Sequence, residues 1–149
     1  MQTRIDVRAV PIPNGVADLA GAHHLFVVWV GADGKEIFFR GGPGNPKLGP
    51  LDEDSMGFKA IHCLWGPYIP GSIDYSPIAK SVTVATGYRQ ESTQKLVAAC
   101  QTIMFMGIGY RPTGPNSNTV ARTLLAVLNI PPKKPDVLTP GWDLPPLVR

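Results

Sequence analysis

A run of four small polar residues, Asn116-Ser117-Asn118-Thr119, stands where a helix pattern begins. It follows a loop rich in proline and glycine, and it precedes an apolar stripe at helical spacing: Val120, Ala121, Leu124, Leu125 and Leu128. The first N–H groups of a helix lack internal partners, and Asn, Ser or Thr oxygens accept from them. One such residue is enough for a cap. The run therefore also suits a hydroxyl nucleophile, Ser117, held beside N–H groups that stabilise an oxyanion.

A base for this hydroxyl is available among three histidines. His23 and His24 open a strand pattern, and side chains alternate along a strand, so only one of the two faces the helices. A lone strand histidine is usually a structural polar residue. A serine and a histidine on separate elements nevertheless form the nucleophile and base of a hydrolase when they meet in space. His62 lies in an apolar strand pattern and is interpreted as structural.

Composition limits the classes of function. The 149 residues predict one domain, 1–149, whose core needs no disulfide, and 16 Gly and 16 Pro predict many loops. The net charge of +3 comes from scattered Lys and Arg, which argues against a nucleic-acid partner. Cys63 and Cys100 lack the spacing of a metal site and are interpreted as buried thiols, so neither a metal nor a cofactor is expected.

The chain shows no targeting or anchoring signal. No stretch reaches the length of a membrane span, and the N-terminal MQTRIDVRAV lacks the apolar region of a signal peptide. We therefore expect a soluble chain without a membrane partner, and its location stays unknown. An effector exported by a dedicated secretion system, or a domain of a larger exported protein, has the same appearance.

Strand patterns come first along the chain and helix patterns follow. Strands are expected at residues 5–9, 23–30, 35–40, 58–65 and 80–88. Asp33-Gly34 predicts a hairpin turn, whereas residues 41–56 have loop composition. A first helix is expected from a Ser92 cap to Gly107, and a second follows the polar run. This order predicts an α+β domain with an antiparallel sheet packed against two main helices.

The C-terminal tail, residues 131–149, is rich in proline and is expected to pack in extended form on the surface of the domain. Trp142 is expected to anchor it, because a ring of that size is poorly placed in free solvent. The PPKKP segment also has the composition of an extended ligand for another protein, although packing on its own domain is favoured.

The order of these motifs resembles a known family. A histidine at the start of an early hairpin and an Asn-nucleophile-x-Thr run at the start of a later apolar helix resemble the circularly permuted papain-like (NlpC-type) hydrolases. Their nucleophile is normally cysteine in an Asn-Cys-x-Ser/Thr motif, and here Ser117 takes that position. The stretches HLFVVWVGADGKEIFFRGGP, GPYIPGS and GPNSNTVARTLL also resemble uncharacterised bacterial domains of secreted or toxin-like proteins. The resemblance covers residues 22–128 in order.

The resemblance implies a papain-like fold and a hydrolase of amide or ester bonds, of amidase or peptidase type, acting on peptides or peptidoglycan as an antibacterial effector. It implies His24 rather than His23 as the base, and Glu36 is the candidate for the third, orienting group. The residues expected to hold the oxyanion or the substrate are Asn116, Asn118, Arg40 and Tyr110. The implied partners are a peptide or cell-wall-like substrate and an immunity or delivery protein.

Serine in place of cysteine leaves two interpretations open. A serine hydroxyl ionises far less readily than a thiol, so it needs closer help from its base. The chain is either a true serine hydrolase or an inactive papain-like scaffold that binds a peptide, glycan or protein partner without reacting. The contact residues expected in the second case are aromatic: Trp29, Trp65, Tyr68 and Tyr110.

Overall fold

The computed structural model describes residues 2–12, 21–45, 49–50, 59–88 and 90–148. Within these ranges, strands precede helices as the patterns predict. The strands are β1 (Arg4–Pro11), β2 (His23–Val30), β3 (Glu36–Asn45), β4 (Gly49–Pro50), β5 (Ala60–Pro67) and β6 (Lys80–Thr86). The helices are α1 (Glu91–Met106) and α2 (Ser117–Val127).

The described strands form one antiparallel sheet. β2 lies between β1 and β3, β6 pairs with the other edge of β1, and both β4 and β5 pair with β3. β3 pairs with β2 over Glu36 to Phe39, opposite Val27 to Val30 of β2. It pairs with β5 over Ile37 to Gly44, and its last two residues pair with β4. The predicted α+β class, an antiparallel sheet packed against two helices, is confirmed.

Side-chain alternation gives the sheet two different faces. On one face, here called the helix face, Leu25 and Val27 of β2 pack in the main core with residues of α1 and α2. On the opposite face, here called the loop face, Phe26 of β2 packs with Tyr68, the first residue of the loop 68–79. Neighbouring residues of β2 therefore pack in different cores, one under the helices and one under the loop 68–79.

The apolar stripe predicted for the second helix is the buried face of α2, and α1 also has a buried apolar face. The buried residues of α1 are Leu96, Ala99, Cys100 and Ile103, and the apolar ones of α2 are Val120, Ala121, Leu124 and Leu125. Full burial of one such aliphatic side chain is worth about 1.5–3 kcal/mol, so these stripes fix the helices on the sheet. Gly41 of β3 admits α2 closely, because a Cβ there would lie 2.5 Å from a methyl group of Val120.

Two predicted boundaries are wrong. β3 continues to Asn45, because its glycine-rich end pairs with β5 instead of forming the loop expected at 41–56. The cap of α1 is Gln90 rather than Ser92, since the Gln90 carbonyl accepts hydrogen bonds from the backbone N–H and the hydroxyl of Thr93. Residues 13–20, 46–48 and 51–58 lie outside the described residues, so the loop expected at 41–56 is described only in part.

Candidate functional site

The polar run at the start of α2 begins with a complete capping box. The side chain of Asn116 accepts from the backbone N–H groups of Asn118 and Thr119, and the Thr119 hydroxyl accepts from the Asn116 N–H. The Asn116 side chain also donates to the carbonyls of Pro112 and Pro140, each at 3.0 Å. Asn116 therefore fixes the helix start, the preceding loop and the tail, and both polar ends of its side chain are used in doing so.

Asn118 replaces a missing strand neighbour of β2. Its Oδ1 accepts from the backbone N–H of Leu25 at 2.8 Å, and its Nδ2 donates to the His23 carbonyl at 3.0 Å. These backbone groups lie beyond the part of β2 that pairs with β3. The same Nδ2 also donates to the Pro140 carbonyl at 3.0 Å. Because buried backbone groups must find partners, the amide of Asn118 satisfies the open edge of the sheet.

Three of the four polar residues are thus occupied with structural contacts, since Thr119 also donates through its hydroxyl to the Gly141 carbonyl at 2.9 Å. Ser117 is the first residue of α2 and is 2 % exposed. The position fits the predicted helix start, but the side chain lies inside the domain on the helix face. A substrate therefore has no open path to Ser117 in this conformation.

His24 lies on the other side of the sheet. Its ring stacks on Phe26 of the loop-face core, with ring centroids 6.1 Å apart. Its Nε2 is 2.7 Å from Oδ2 of Asp74, and its buried Nδ1 has no hydrogen-bond partner in the described part of the chain. Neither nitrogen bonds Ser117. Leu25 and Val27 face α2, so alternation turns His24 away from the helix that carries Ser117.

Asp74 is the centre of a buried charged cluster on the loop face. It accepts from His24 and, at 2.9 Å, from Nε of Arg40. Burial alone would raise the pKa of Asp74, but the charges and hydrogen bonds of His24 and Arg40 hold that pKa well below its usual range. An ionised carboxylate only accepts hydrogen bonds, so Nε2 of His24 is the donor. When the ring is neutral, Nδ1 then carries an unused lone pair.

Two features of the cluster mark it as unlike an ordinary surface ion pair. Asp74 has φ 63°, a left-handed conformation that is uncommon for a residue other than glycine. His62 of β5 also has a buried Nδ1 without a partner among the described residues. Its pKa is lowered by burial and by the positive charge of Arg40. Strained backbone and perturbed titration are found together at functional sites more often than elsewhere.

The remaining predicted site residues have other roles. Glu36, the expected orienting group, instead pairs with Arg8 of β1. The carboxylate that contacts His24 is that of Asp74. Arg40 is 7 % exposed and bonds a carboxylate of its own chain. Tyr110 packs against the helix-face core, away from the His24 cluster. Asp74 was not predicted as a site residue, although it is the single acidic residue between Asp54 and Glu91.

A separate cleft of about 740 Å³ opens at the hairpin end of β2 and β3. Its apolar walls are formed by Trp29, Ile37, Trp65, Pro67, Tyr68 and Ile69. Asp33 and Lys35 of the hairpin turn and Gln90 before α1 stand at its edge. Three of the four aromatic contact residues expected for a binding module thus line one cavity.

The described residues hold no group of three or more His, Cys, Asp or Glu side chains able to bind a metal ion. Cys63 and Cys100 are both buried, and the pKa of Cys100 is raised by its hydrogen bond to Cys63 and by burial. Across the described ranges, none of the helices has the length and apolar character that a bilayer span requires.

Comparison with known proteins assigns no family to this α+β domain. The chain matches no protein-family model, no curated protein and no solved structure. Function must therefore be argued from the contacts of its own residues.

Proposed function

We propose that this domain is a recognition module that holds an apolar side chain of a peptide or protein partner in the cleft beside Trp29 and Trp65. The observation that carries the proposal is the apolar cavity of about 740 Å³. Binding sites are typically concave, mainly apolar and lined by aromatic side chains with a few polar groups at the edge. Ile69 at this cleft is 55 % exposed, which leaves apolar surface for a partner to cover.

The lining favours an apolar side chain over a sugar. Nε1 of Trp29 already donates to a backbone carbonyl, and the carboxylate of Glu36 is bound to Arg8. Asp33 and Lys35 form an exposed pair 3.9 Å apart at the hairpin turn, which suits the polar rim of an interface. Recognition of a sugar would require several free hydrogen-bonding side chains around the aromatic rings. A leucine, phenylalanine or tryptophan flanked by charged residues fits the cleft better.

The test is peptide-display selection on the immobilised domain, followed by affinity measurement on Ile69→Asp and on Ile78→Asp as its matched control. Ile78 is 88 % exposed and does not line the cleft. We expect selected peptides to share an apolar anchor and to lose at least about tenfold in affinity for Ile69→Asp alone, about 1.4 kcal/mol. Selected peptides that bind both variants as well as the wild type would contradict the proposal.

A second function, hydrolysis of amide or ester bonds, is favoured by the His24–Asp74 contact of 2.7 Å. An imidazole oriented by a carboxylate, with its other nitrogen unpartnered, has the arrangement of a general base. In this proposal the fold is of papain-like, permuted NlpC type and the substrate is a peptide or peptidoglycan. Ser117 lies on the opposite face of the sheet, so in this proposal the base acts on a water molecule that reaches the buried Nδ1 of His24.

The second proposal is tested by hydrolysis of p-nitrophenyl acetate and of peptidoglycan fragments by His24→Gln and Asp74→Asn. General-base catalysis predicts rate losses of about 10²–10⁴-fold in each variant, with the circular dichroism spectrum unchanged. Wild-type rates in both variants would eliminate His24 as a base. If Ser117→Ala also lost the hydrolysis rate, Ser117 would have to take part in the reaction.

A further inference from the structure

The tail is held at the start of α2 through its main chain. The Pro140 carbonyl accepts from the side chains of Asn116 and Asn118, and the Gly141 carbonyl accepts from Thr119. Further along, Nη1 of Arg122 donates to the Trp142 carbonyl at 3.1 Å, and the Leu147 N–H donates to Thr123 at 2.9 Å. The segment 138–147, here called the strap, is therefore bound as a peptide ligand is bound in a groove.

Two positions of the strap select for residue type. Gly141 has φ 93°, and a Cβ at this position would lie 2.5 Å from Oδ1 of Asn116, so only glycine fits. The next residue, Trp142, is 7 % exposed and lies with its ring centroid 5.5 Å from the guanidinium carbon of Arg122. Backbone hydrogen bonds supply the attachment, and a Gly-Trp pair supplies the specificity.

The strap is joined to α2 by a proline-containing tether of nine residues, 129–137. α2 has 11 residues and is about 16 Å long. The tether spans about 28 Å when it is extended at about 3.1 Å per residue, so it can return the strap to the start of its own helix with length to spare. Hydrogen bonds of the tether's backbone go to the end of α2 or to the tether itself.

From this arrangement we propose that the start of α2 is a binding site for a Pro-Gly-Trp peptide segment. The strap fills the site in cis, and the strap of a second copy of the chain can take its place. This site is distinct from the cleft beside Trp29 and Trp65. A short tether gives its ligand an effective concentration on the order of millimolar, so the cis strap outcompetes a dilute peptide. Exchange between copies becomes measurable when the cis strap is weakened.

The first experiment measures fluorescence anisotropy of a labelled synthetic peptide with the sequence of residues 136–147. It is titrated with the wild-type chain and with Gly141→Ala, in which the added Cβ displaces the strap. We expect Gly141→Ala to bind the peptide at least about tenfold more tightly than the wild type. A control peptide carrying alanine in place of its glycine should bind neither chain. A folded Gly141→Ala chain that binds neither peptide, or both equally, would overturn the proposal.

A second experiment does not depend on the stability of Gly141→Ala. Nη1 of Arg122 on α2 lies 3.9 Å from Oδ1 of Asp143 on the strap, so a chain with Arg122→Cys is mixed with a chain with Asp143→Cys and treated with a flexible bismaleimide that spans the two replaced side chains. The two chains are cross-linked faster than in the control only when the strap of one copy lies on α2 of the other. The control replaces Asp143→Cys by Lys133→Cys, at an exposed tether position. Cross-linking no faster than in this control would refute strap exchange.

Discussion

Two buried polar clusters in the described part of this domain differ in what their side chains bind. At the start of α2, neutral amides and a hydroxyl bind backbone N–H and carbonyl groups of the sheet, the loop and the strap. On the loop face, charged groups bind one another, and His24 keeps a buried nitrogen without a partner in the described residues. Side chains that satisfy backbone groups hold elements together, whereas an unused nitrogen beside an ion pair is available for chemistry.

The comparison separates the two halves of the predicted serine–histidine pair. Ser117 belongs to the first cluster and His24 to the second, and the sheet lies between them. The predictions below test this division, from the largest expected effect to the smallest.

Asn118→Leu should cause the largest loss of stability. The substitution leaves the Leu25 N–H and the His23 carbonyl without this partner, whereas the Pro140 carbonyl keeps its hydrogen bond from Asn116. Each unsatisfied buried group costs about 1–3 kcal/mol, so two of them predict a loss of about 4 kcal/mol in the free energy of unfolding. Chemical denaturation monitored by circular dichroism measures it. A loss below about 1 kcal/mol would show that Asn118 does not hold α2 to β2.

Asp74→Asn should have the next largest effect. It leaves the buried guanidinium of Arg40 without its counter-charge, and loss of one partner of a buried pair typically costs about 3–5 kcal/mol. Asp33→Asn, at an exposed pair, is the matched control and should change the free energy of unfolding by less than about 1 kcal/mol. Equal effects of the two substitutions would remove the distinction between the loop-face cluster and a surface ion pair.

The same carboxylate predicts a pH dependence. The pKa of Asp74 is lower in the folded chain than in the unfolded one, so its ionised form stabilises the fold above the unfolded pKa of about 4. That contribution is lost as the pH falls from about 5 toward the folded pKa. Between pH 5 and pH 2.5, the free energy of unfolding should therefore fall more steeply for the wild type than for Asp74→Asn. Parallel curves would contradict the ion-pair assignment.

Ser117→Ala should have the smallest effect. Asn116 rather than Ser117 caps α2, and alanine is a good helix former at this position. We expect a change of less than about 1 kcal/mol in the free energy of unfolding, measured beside Asn118→Leu under the same conditions. A loss as large as that of Asn118→Leu would place Ser117 among the structural contacts.

The sequence was sufficient for the order of elements, because that information is local. Alternation predicts β2, helical spacing predicts the buried face of α2, and Asp33-Gly34 predicts the hairpin turn, whose Gly34 has φ 85°. The size of Trp142 suggested its burial. Each of these signals lies within one element or within one side chain.

The candidate site was harder to predict because its contacts are remote in sequence. Asp74 reaches His24 across 50 residues, and nothing in the sequence marks the pairing. The choice between His23 and His24 depends on strand register, where a shift of one residue moves a side chain to the opposite face. Glu36 and Arg40 are four residues apart in β3, so alternation places both on the loop face, where they bind different partners.

The central claim is that Ser117 is buried on the helix face, apart from His24, and is not a nucleophile activated by it. It is tested most directly by intact-mass spectrometry after incubation with a fluorophosphonate probe, comparing wild type, Ser117→Ala and His24→Gln. The structure predicts no adduct at Ser117, because that side chain is buried and no nitrogen of His24 bonds it. An adduct on the wild type that disappears in both variants would contradict this account and establish a serine hydrolase.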